Sequence, residues 1–459
     1  MSYTEFTSNH TLLMGVARAV ITPPVGSEMS GFIARNSGML GVHDNLYMRA
    51  MAWSNGGKDA CALLLTLDVI GLDHSTVETL REHITNSTAI PGERIAITAT
   101  HTHGGPAVMD GRLGGKVDPG YLDSLLQQAT EVTSLAIGKM IPVTARFTIG
   151  TEPTVGKNRR IPGGIIDPDV PVVRFDSLDG QTYALLVSYA CHPVTLGADN
   201  LLTTADYPGY TVRTLEAIYT NAHVQFVTGC CGQINTGHSA QDSVKGRGLE
   251  RRTYAECQRL GRLIAAAALQ ASERGAAPGG TPLATITTTQ GNAKVQILRR
   301  IVELPLRESE SPEALQRFAA QCTEEATRLQ STGISTGDVL LLRSWAEWAK
   351  KLSTDPDPQK SIRAEIMLLA LGEICIVMLP GEPFVELGLS IKARAKHKAL
   401  MVIGYANGCP GYIADRSAHE AGGYEVTEAY RFYNYPAGFA PEAADMLIEG
   451  ALELLARLE

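Results

Sequence analysis

The sequence has no long hydrophobic run. No apolar stretch approaches the ~18 residues that a membrane-spanning helix requires. It has no excess of positive charge either. Against 48 acidic residues stand 40 basic ones, a net charge of −8, which excludes a polybasic nucleic-acid binder. The opening residues, MSYTEFTSNHTLLMG, lack a charged segment followed by an apolar one, so no export signal is read and a cytoplasmic location is expected. No period of about 20–50 residues repeats, which argues against solenoids and propellers. There is no GxxxxGK[ST] and no complete GxGxxG, so nucleotide binding has no support, and neither HExxH nor a CxxC pair is present. Eight cysteines are scattered along the chain and, without an export signal, read as reduced core residues rather than a disulfide framework.

What is present is a chain of 459 residues, 44% apolar, enough for a sizeable core. Apolar β-rich runs at 62–70, 94–102, 182–190, 224–228, 295–304, 374–379 and 399–404 alternate with helical patterns near 119–138, 207–220, 250–273, 312–331, 338–353, 384–396 and 440–458. Asp206 before Pro208 and Ser311 before Pro312 read as N-caps with proline in the first turn. The alternation predicts an α/β fold, a mixed sheet flanked by helices. The stretch RGAAPGGTP (274–282) is read as an internal loop of one domain spanning 1–459, because the chemically suggestive residues lie on both sides of it.

Three strand candidates end in polar turns. In RIAITATHTHGGP (94–106), alternation places Ile95, Ile97, Ala99, His101 and His103 on one face, so two imidazoles emerge together at the strand end. Neutral imidazoles in that arrangement suit a transition metal, or simply bond to turn backbone. His192 closes the run ALLVSYACHP, where a buried, satisfied histidine is the bland alternative. Glu382 sits in LPGEP between a strand and a helix, where it also fits as a helix-dipole partner. Together, two histidines and a carboxylate at strand ends supply one catalytic metal site, which typically takes three protein ligands and leaves room for water.

Two motifs compete. GISTG (333–337) matches GxSxG, but a helical pattern precedes Ser335 and Asp338 reads as the cap of the next helix, so no nucleophile elbow is expected. A thiol at Cys230 or Cys231 would need His192 or His238 as a base; no covalent nucleophile is assigned there.

The segments THTHGGP, ACHP, LPGEP and GYI…GGY, in that order, resemble the catalytic domain of the neutral (alkaline, non-lysosomal) ceramidases, over most of the chain. The resemblance implies one zinc ion per chain, held by His101, His192, Glu382 and Tyr412. It implies His103 as proton acceptor and donor, Tyr424 as an oxyanion partner and Arg159 as the group fixing a polar or anionic part of the substrate, with Asn158, Arg160 and Lys157 beside it. Two departures stand out. YIAD (412–415) replaces a Tyr-x-Thr-Thr pattern, and Asn235, in GCCGQINTG (229–237), stands where the family has a serine, so it is assigned to substrate contact. The family's C-terminal immunoglobulin-like domain is not matched.

The expectation is a zinc hydrolase cleaving an N-acyl bond by metal-activated water. Aromatic residues make up only 6% of the sequence, and the turns near the proposed metal are small and polar, so the expected partner is a compact hydrophilic molecule rather than ceramide. No nucleic acid and no stable membrane anchor are expected, and homo-oligomerisation is left open. An ester, lactone or sugar-derived substrate, true ceramidase activity, and a non-catalytic binding role are the rival readings.

Overall fold

In the computed structural model, residues 11–56, 62–109, 114–245, 250–287, 294–333 and 336–458 are described. Thirteen strands carry the architecture: β1 (Leu13–Val20), β2 (Tyr47–Ser54), β3 (Ala62–Leu67), β4 (Ile95–Ala99), β5 (Ile141–Thr151), β6 (Asp169–Ser177), β7 (Thr182–Tyr189), β8 (His223–Thr228), β9 (Ala284–Ile286), β10 (Val295–Pro305), β11 (Ser361–Leu371), β12 (Ile374–Met378) and β13 (Leu400–Ile403). The first nine form one sheet, ordered β8-β7-β6-β5-β1-β2-β3-β4, with β9 added to β5. The last four form a second sheet in sequence order. Three neighbouring pairs are parallel: β3 with β4, β7 with β8, and β12 with β13.

The sheets lie face to face, and side-chain alternation sets the layers. Leu63, Leu65 and Leu67 of β3 join the core that includes the helices, whereas Ala62 and Leu64 join a core shared with the second sheet. In β12, Cys375 and Val377 take the first direction and Ile374, Ile376 and Met378 the second. Helices α1 (His74–Thr88), α2 (Pro119–Gly138), α3 (Asp206–Ile218) and α4 (Tyr254–Ala276) accompany the large sheet. The α5 (Pro312–Ser331) and α6 (Thr336–Leu352) hairpin follows β10, and α7 (Val385–Arg394) and α8 (Glu442–Ala456) pack with the small sheet. This is the expected mixed α/β fold. Among the described residues no helix is long and apolar enough to cross a membrane.

The large sheet curls until its ends meet. Gln225 of β8 donates to Thr66 of β3 at 2.7 Å, and Thr228 donates to the Thr100 carbonyl just past β4 at 2.7 Å. The segment after β13 wedges into the junction: Ala406 bridges Thr98, Ile403 bridges Gly229, and Asn407 accepts the Ile97 N–H at 3.0 Å. The closure brings the carboxyl ends of β4, β7 and β12 to one place.

Several local expectations are corrected. Helix α1 and strands β1, β2, β5, β6 and β11 were not anticipated. Ser311 caps α5, accepting the Ala314 N–H, as expected, but Asp206 is no N-cap: it is the first residue of α3, at φ +52°, and its carboxylate accepts from Thr195 instead. Helix α6 begins at Thr336, placing Asp338 in its first turn, and Ser335 lies outside the described residues. Strand β4 ends at Ala99, so the alternation assumed through His101 and His103 stops short of them.

Packing against α2 is tight at Gly15 of β1, where an added Cβ would collide with the Ala136 carbonyl. Gly15→Ala should therefore destabilise the protein by about 1–3 kcal/mol, the usual cost of overpacking, read as a lower denaturant midpoint. An unchanged midpoint would show that the helix layer yields freely.

Candidate metal centre

His101 emerges two residues after β4 with φ +67°, a left-handed conformation uncommon for any residue but glycine. The turn, rather than strand alternation, aims both imidazoles inward. Its N–H is fixed on the Val69 carbonyl at 3.0 Å, and its Nδ1 faces the Ile70 carbonyl at 2.5 Å. His192 follows β7, and its Nδ1 faces the Cys231 carbonyl at 2.7 Å. A carbonyl accepts only, so each ring carries its proton on Nδ1 and turns an Nε2 lone pair inward. Glu382 follows β12 in a two-residue strand paired with Tyr412–Ile413, which puts Tyr412 in register beside it. Gly381 makes the turn at φ +70°, where a Cβ would strike the Gly411 carbonyl.

The three side chains converge. Glu382 Oε2 lies 2.9 Å from His192 Nε2 and 3.3 Å from His101 Nε2, and one donor atom from each of the three lies within 4.8 Å of the others. All three residues are buried, Glu382 completely. Tyr412 stacks on His192 at 15°, with its Oη 3.5 Å from Nε2. His103 Nε2 faces His101 Nε2 at 3.3 Å. Tyr424 packs its ring 5.9 Å from Tyr412.

Burial and charge act in opposite directions here. Burial alone would raise the Glu382 carboxyl, but His101 and His192 hold it well below the usual range. Burial pushes His192 down to about 4, and burial followed by the two neighbouring imidazoles holds His103 well below 6.5. His103 is therefore a neutral imidazole near pH 7, able to accept a proton. Burial, then Glu382, drives the Tyr412 hydroxyl well above 10, so it is a phenol rather than a phenolate.

Arg159 and Arg160 reach this wall from the segment after Lys157–Asn158, and both bind the same buried carboxylate. Glu425 Oε1 accepts from Arg159 Nε and Oε2 from Arg160 Nη1, each at 2.8 Å. Arg159 also donates to the Gly232 carbonyl at 2.9 Å and lies over the Tyr412 ring at 5.5 Å. Its guanidinium thus positions Tyr412 and is ion-paired with a carboxylate that it shares with Arg160. Asn158 bonds within its own turn, accepting from the N–H groups of Arg160 and Ile161. Asn235 accepts the N–H of Gly237 and donates to the His238 carbonyl at 2.8 Å. Both amides build loops.

Sequence reasoning missed Tyr433 and Tyr405. Tyr433 donates to Glu382 Oε1, the carboxylate oxygen turned away from the imidazoles. Tyr405, at φ +57°, stacks on His101 at 4.3 Å. The dense aromatic run YRFYNY (430–435) is the one signal that pointed there. Cys230 and Cys231 are buried, which raises both thiols and disfavours a thiolate.

A cavity of about 910 Å³ opens beside Arg159, lined also by Lys157, Thr195, His238 and Arg252. A second, of about 340 Å³, lies on the other side of Asn158 and Arg159, against Tyr424 and Glu425. A depression on the α5–α6 hairpin contains no histidine or cysteine and no part of this site.

No protein-family model matches the chain. Solved structures do, two ceramidases among them. The neutral ceramidase from Pseudomonas aeruginosa superposes with a TM-score of 0.71 at 15% identity, over 98% of this chain and 75% of that one. A ceramidase complexed with C2 superposes with a TM-score of 0.69 at 14% identity, over 98% and 76%. The fold is ceramidase-like. At this identity the likeness concerns the fold; the chemistry rests on the side chains above.

The Glu425 clamp is testable by pH. Burial raises its carboxyl, but Arg159 and Arg160 outweigh burial and hold it below its ordinary 4.5. A depressed folded value stabilises the protein fully above about pH 4.5, and the contribution is lost as pH falls through the folded value. Glu425→Gln should cost about 3–5 kcal/mol at neutral pH, since it strands buried cations, and should flatten the acid limb of the stability profile. An unchanged profile would mean that the clamp does not stabilise the fold.

Proposed function

We propose that this protein is a zinc-dependent hydrolase that cleaves an N-acyl (amide) bond in a small polar substrate. The observation that carries the reading is the buried convergence of two imidazole Nε2 lone pairs on one carboxylate, with both Nδ1 atoms committed to carbonyls. That donor set, nitrogen and oxygen without thiolate, fits zinc and other divalent transition metals. His101, His192 and Glu382 would hold the ion, with Tyr412 as a fourth ligand. When bound, such an ion lowers the pKa of water toward ~7 and polarises an acyl oxygen.

The chain's own residues supply the rest. His103, neutral near pH 7, takes a proton from the attacking water at an imidazole nitrogen and returns it to the departing amine. The C–O bond forms, the C–N bond breaks, and the proton leaves on nitrogen. Tyr424, held as a phenol in the wall, donates its O–H to the acyl oxygen as charge builds there. Arg159 orients Tyr412, and Tyr433 fixes the Glu382 carboxylate.

The ceramidase-like fold favours amide chemistry, and the polar lining of the larger cavity, with Lys157, Asn158, Thr236, His238 and Arg252, favours a compact hydrophilic substrate. True ceramidase activity is the second reading, carried by the same fold. Comparing kcat/KM on a long-chain ceramide in detergent with that on water-soluble N-acyl compounds and esters separates the two; a clear preference for ceramide would overturn the substrate assignment.

Metal roles are tested by substitution. His101→Ala and Glu382→Ala should lose zinc as measured by elemental analysis. His103→Ala should keep it and lose about 10²–10⁴ in turnover. A metal-free His103 variant would refute the division of roles. Absence of any transition metal, with no activation by added zinc, would refute the function. Alanine at Cys230 and Cys231 should leave activity within severalfold; a trapped acyl-enzyme on either thiol would contradict the mechanism.

A further inference from the structure

Three arginines line the larger cavity, Arg159, Arg251 and Arg252, and the first and last are in opposite states. Arg159 is ion-paired with Glu425, which Arg160 shares. Arg252, just before the cap of α4, is 8% exposed and forms no ion pair among the described residues. Its Nη2 donates to the Val194 and Leu196 carbonyls at 3.1 and 2.6 Å, and its guanidinium lies 5.4 Å from the Phe32 ring centre. Its Nη1 is buried and has no hydrogen-bond partner among the described residues. A dry, unmatched guanidinium N–H group is costly to keep. Burial lowers Arg252 to about 10, which leaves it cationic at neutral pH.

A second orphan lines the same cavity. His238 is part of its wall, and its Nε2 is buried without a hydrogen-bond partner among the described residues. Its backbone is pinned by Asn235, which accepts its N–H at 3.3 Å and donates to its carbonyl at 2.8 Å. Burial, then Arg252 and Arg159, pushes this imidazole down to about 2, so it is neutral and offers one N–H. The carboxylates that line the cavity, Glu250 and Glu256, make no hydrogen bond to Arg252 Nη1. Glu256 is engaged by Arg259 at 2.6 Å, and the aspartates whose fields reach Arg252, namely Asp206, Asp199 and Asp242, leave Nη1 unfilled.

We propose that Arg252 Nη1 and His238 Nε2 form a carboxylate-binding subsite, so that the substrate is an N-acyl compound bearing a free carboxylate. The assignment rests on the hydrolase reading of the neighbouring centre and names its substrate class. Arg252 clasps residues 194–196, two residues beyond His192, so the subsite is built on the loop that carries a metal ligand. Asn235 acts here as a positioning residue for His238. A carboxylate supplies one charge for the unpaired cation and two acceptor oxygens for the two orphan nitrogens.

The test compares carboxylates with their carboxamides, which differ in charge at nearly constant shape. N-acetyl-alanine against N-acetyl-alaninamide places the charge on the amine half; a succinylated amine against its succinamide analogue places it on the acyl half. A charge-assisted hydrogen bond is worth about 1.5–3 kcal/mol, so kcat/KM should favour the carboxylate of one pair by about 10–100-fold. Arg252→Gln should bring that ratio close to one, Arg252→Lys should restore part of it, and His238→Ala should reduce it severalfold. If Arg252→Gln does not fold, the wild-type ratio and the His238 variant decide. Hydrolysis without carboxylate preference in either pair would overturn the subsite and leave the hydrolase standing. Calorimetric titration of the metal-free protein with the same four compounds separates the other failure. Carboxylate-selective binding that is weakened in His238→Ala, without hydrolysis, would uphold the subsite and remove the hydrolase; no selective binding and no hydrolysis would remove both.

Discussion

A carboxylate without any exposed surface governs this site. Taking a charge such as that of Glu382 out of water costs several kcal/mol unless neighbouring groups replace the lost solvation. The groups set around it come from three distant places in the chain: Tyr433, near the C-terminus, donates its O–H to Oε1, whereas His101 after β4 and His192 after β7 turn nitrogen lone pairs toward Oε2 and leave the remaining compensation to a cation that would sit between them. None can serve unless the large sheet curls far enough to bring those strand ends together. The Thr228 and Gln225 contacts and the wedge at residues 403–407 are what hold it curled. Closure of the fold and assembly of the site are one event.

The same constraint explains how the surrounding groups are organised. Each imidazole is locked by a carbonyl, so both present a lone pair to the interior rather than a proton. The phenols of Tyr412 and Tyr433 stay protonated because burial beside a carboxylate opposes a second anion. Charge is then graded outward: a negative centre, the Arg159–Arg160 pair on Glu425, and Arg252 in the cavity wall, which has no ion-pair partner among the described residues. A substrate anion would find its partner at the outer position, away from the buried carboxylate.

The parallel strand ends were legible because they are apolar on both faces. Strands at 182–190 and 374–379 read as continuous hydrophobic runs, and the polar residues that end them stand out. His101, His103, His192 and Glu382 were found in this way. Strand β5 mixes Thr and Arg into a half-exposed surface, and β6, although buried from Val170 to Asp176, is interrupted by Pro171, Arg174 and Asp176, so neither left a comparable pattern. Helix α1 escaped notice because its residues, HSTVETLREHITNST, bury only a narrow face. Tyr433, Glu425 and Arg252 were illegible for another reason. Their partners lie 51, 266 and 56–58 residues away, and nothing local marks them. Arg159 was visible as a residue but not in its state, since the carboxylate it pairs with arrives from a separate loop.

The closed sheet junction is proposed to hold a metal ion. Anomalous diffraction at the zinc absorption edge, from crystals of protein purified without chelator, tests it most directly. The account predicts one strong peak bounded by His101 Nε2, His192 Nε2 and the Glu382 carboxylate, at about 2.0–2.2 Å from each. A structure whose only anomalous peaks lie elsewhere, or whose three side chains bond to one another around no metal in the presence of zinc, would contradict it.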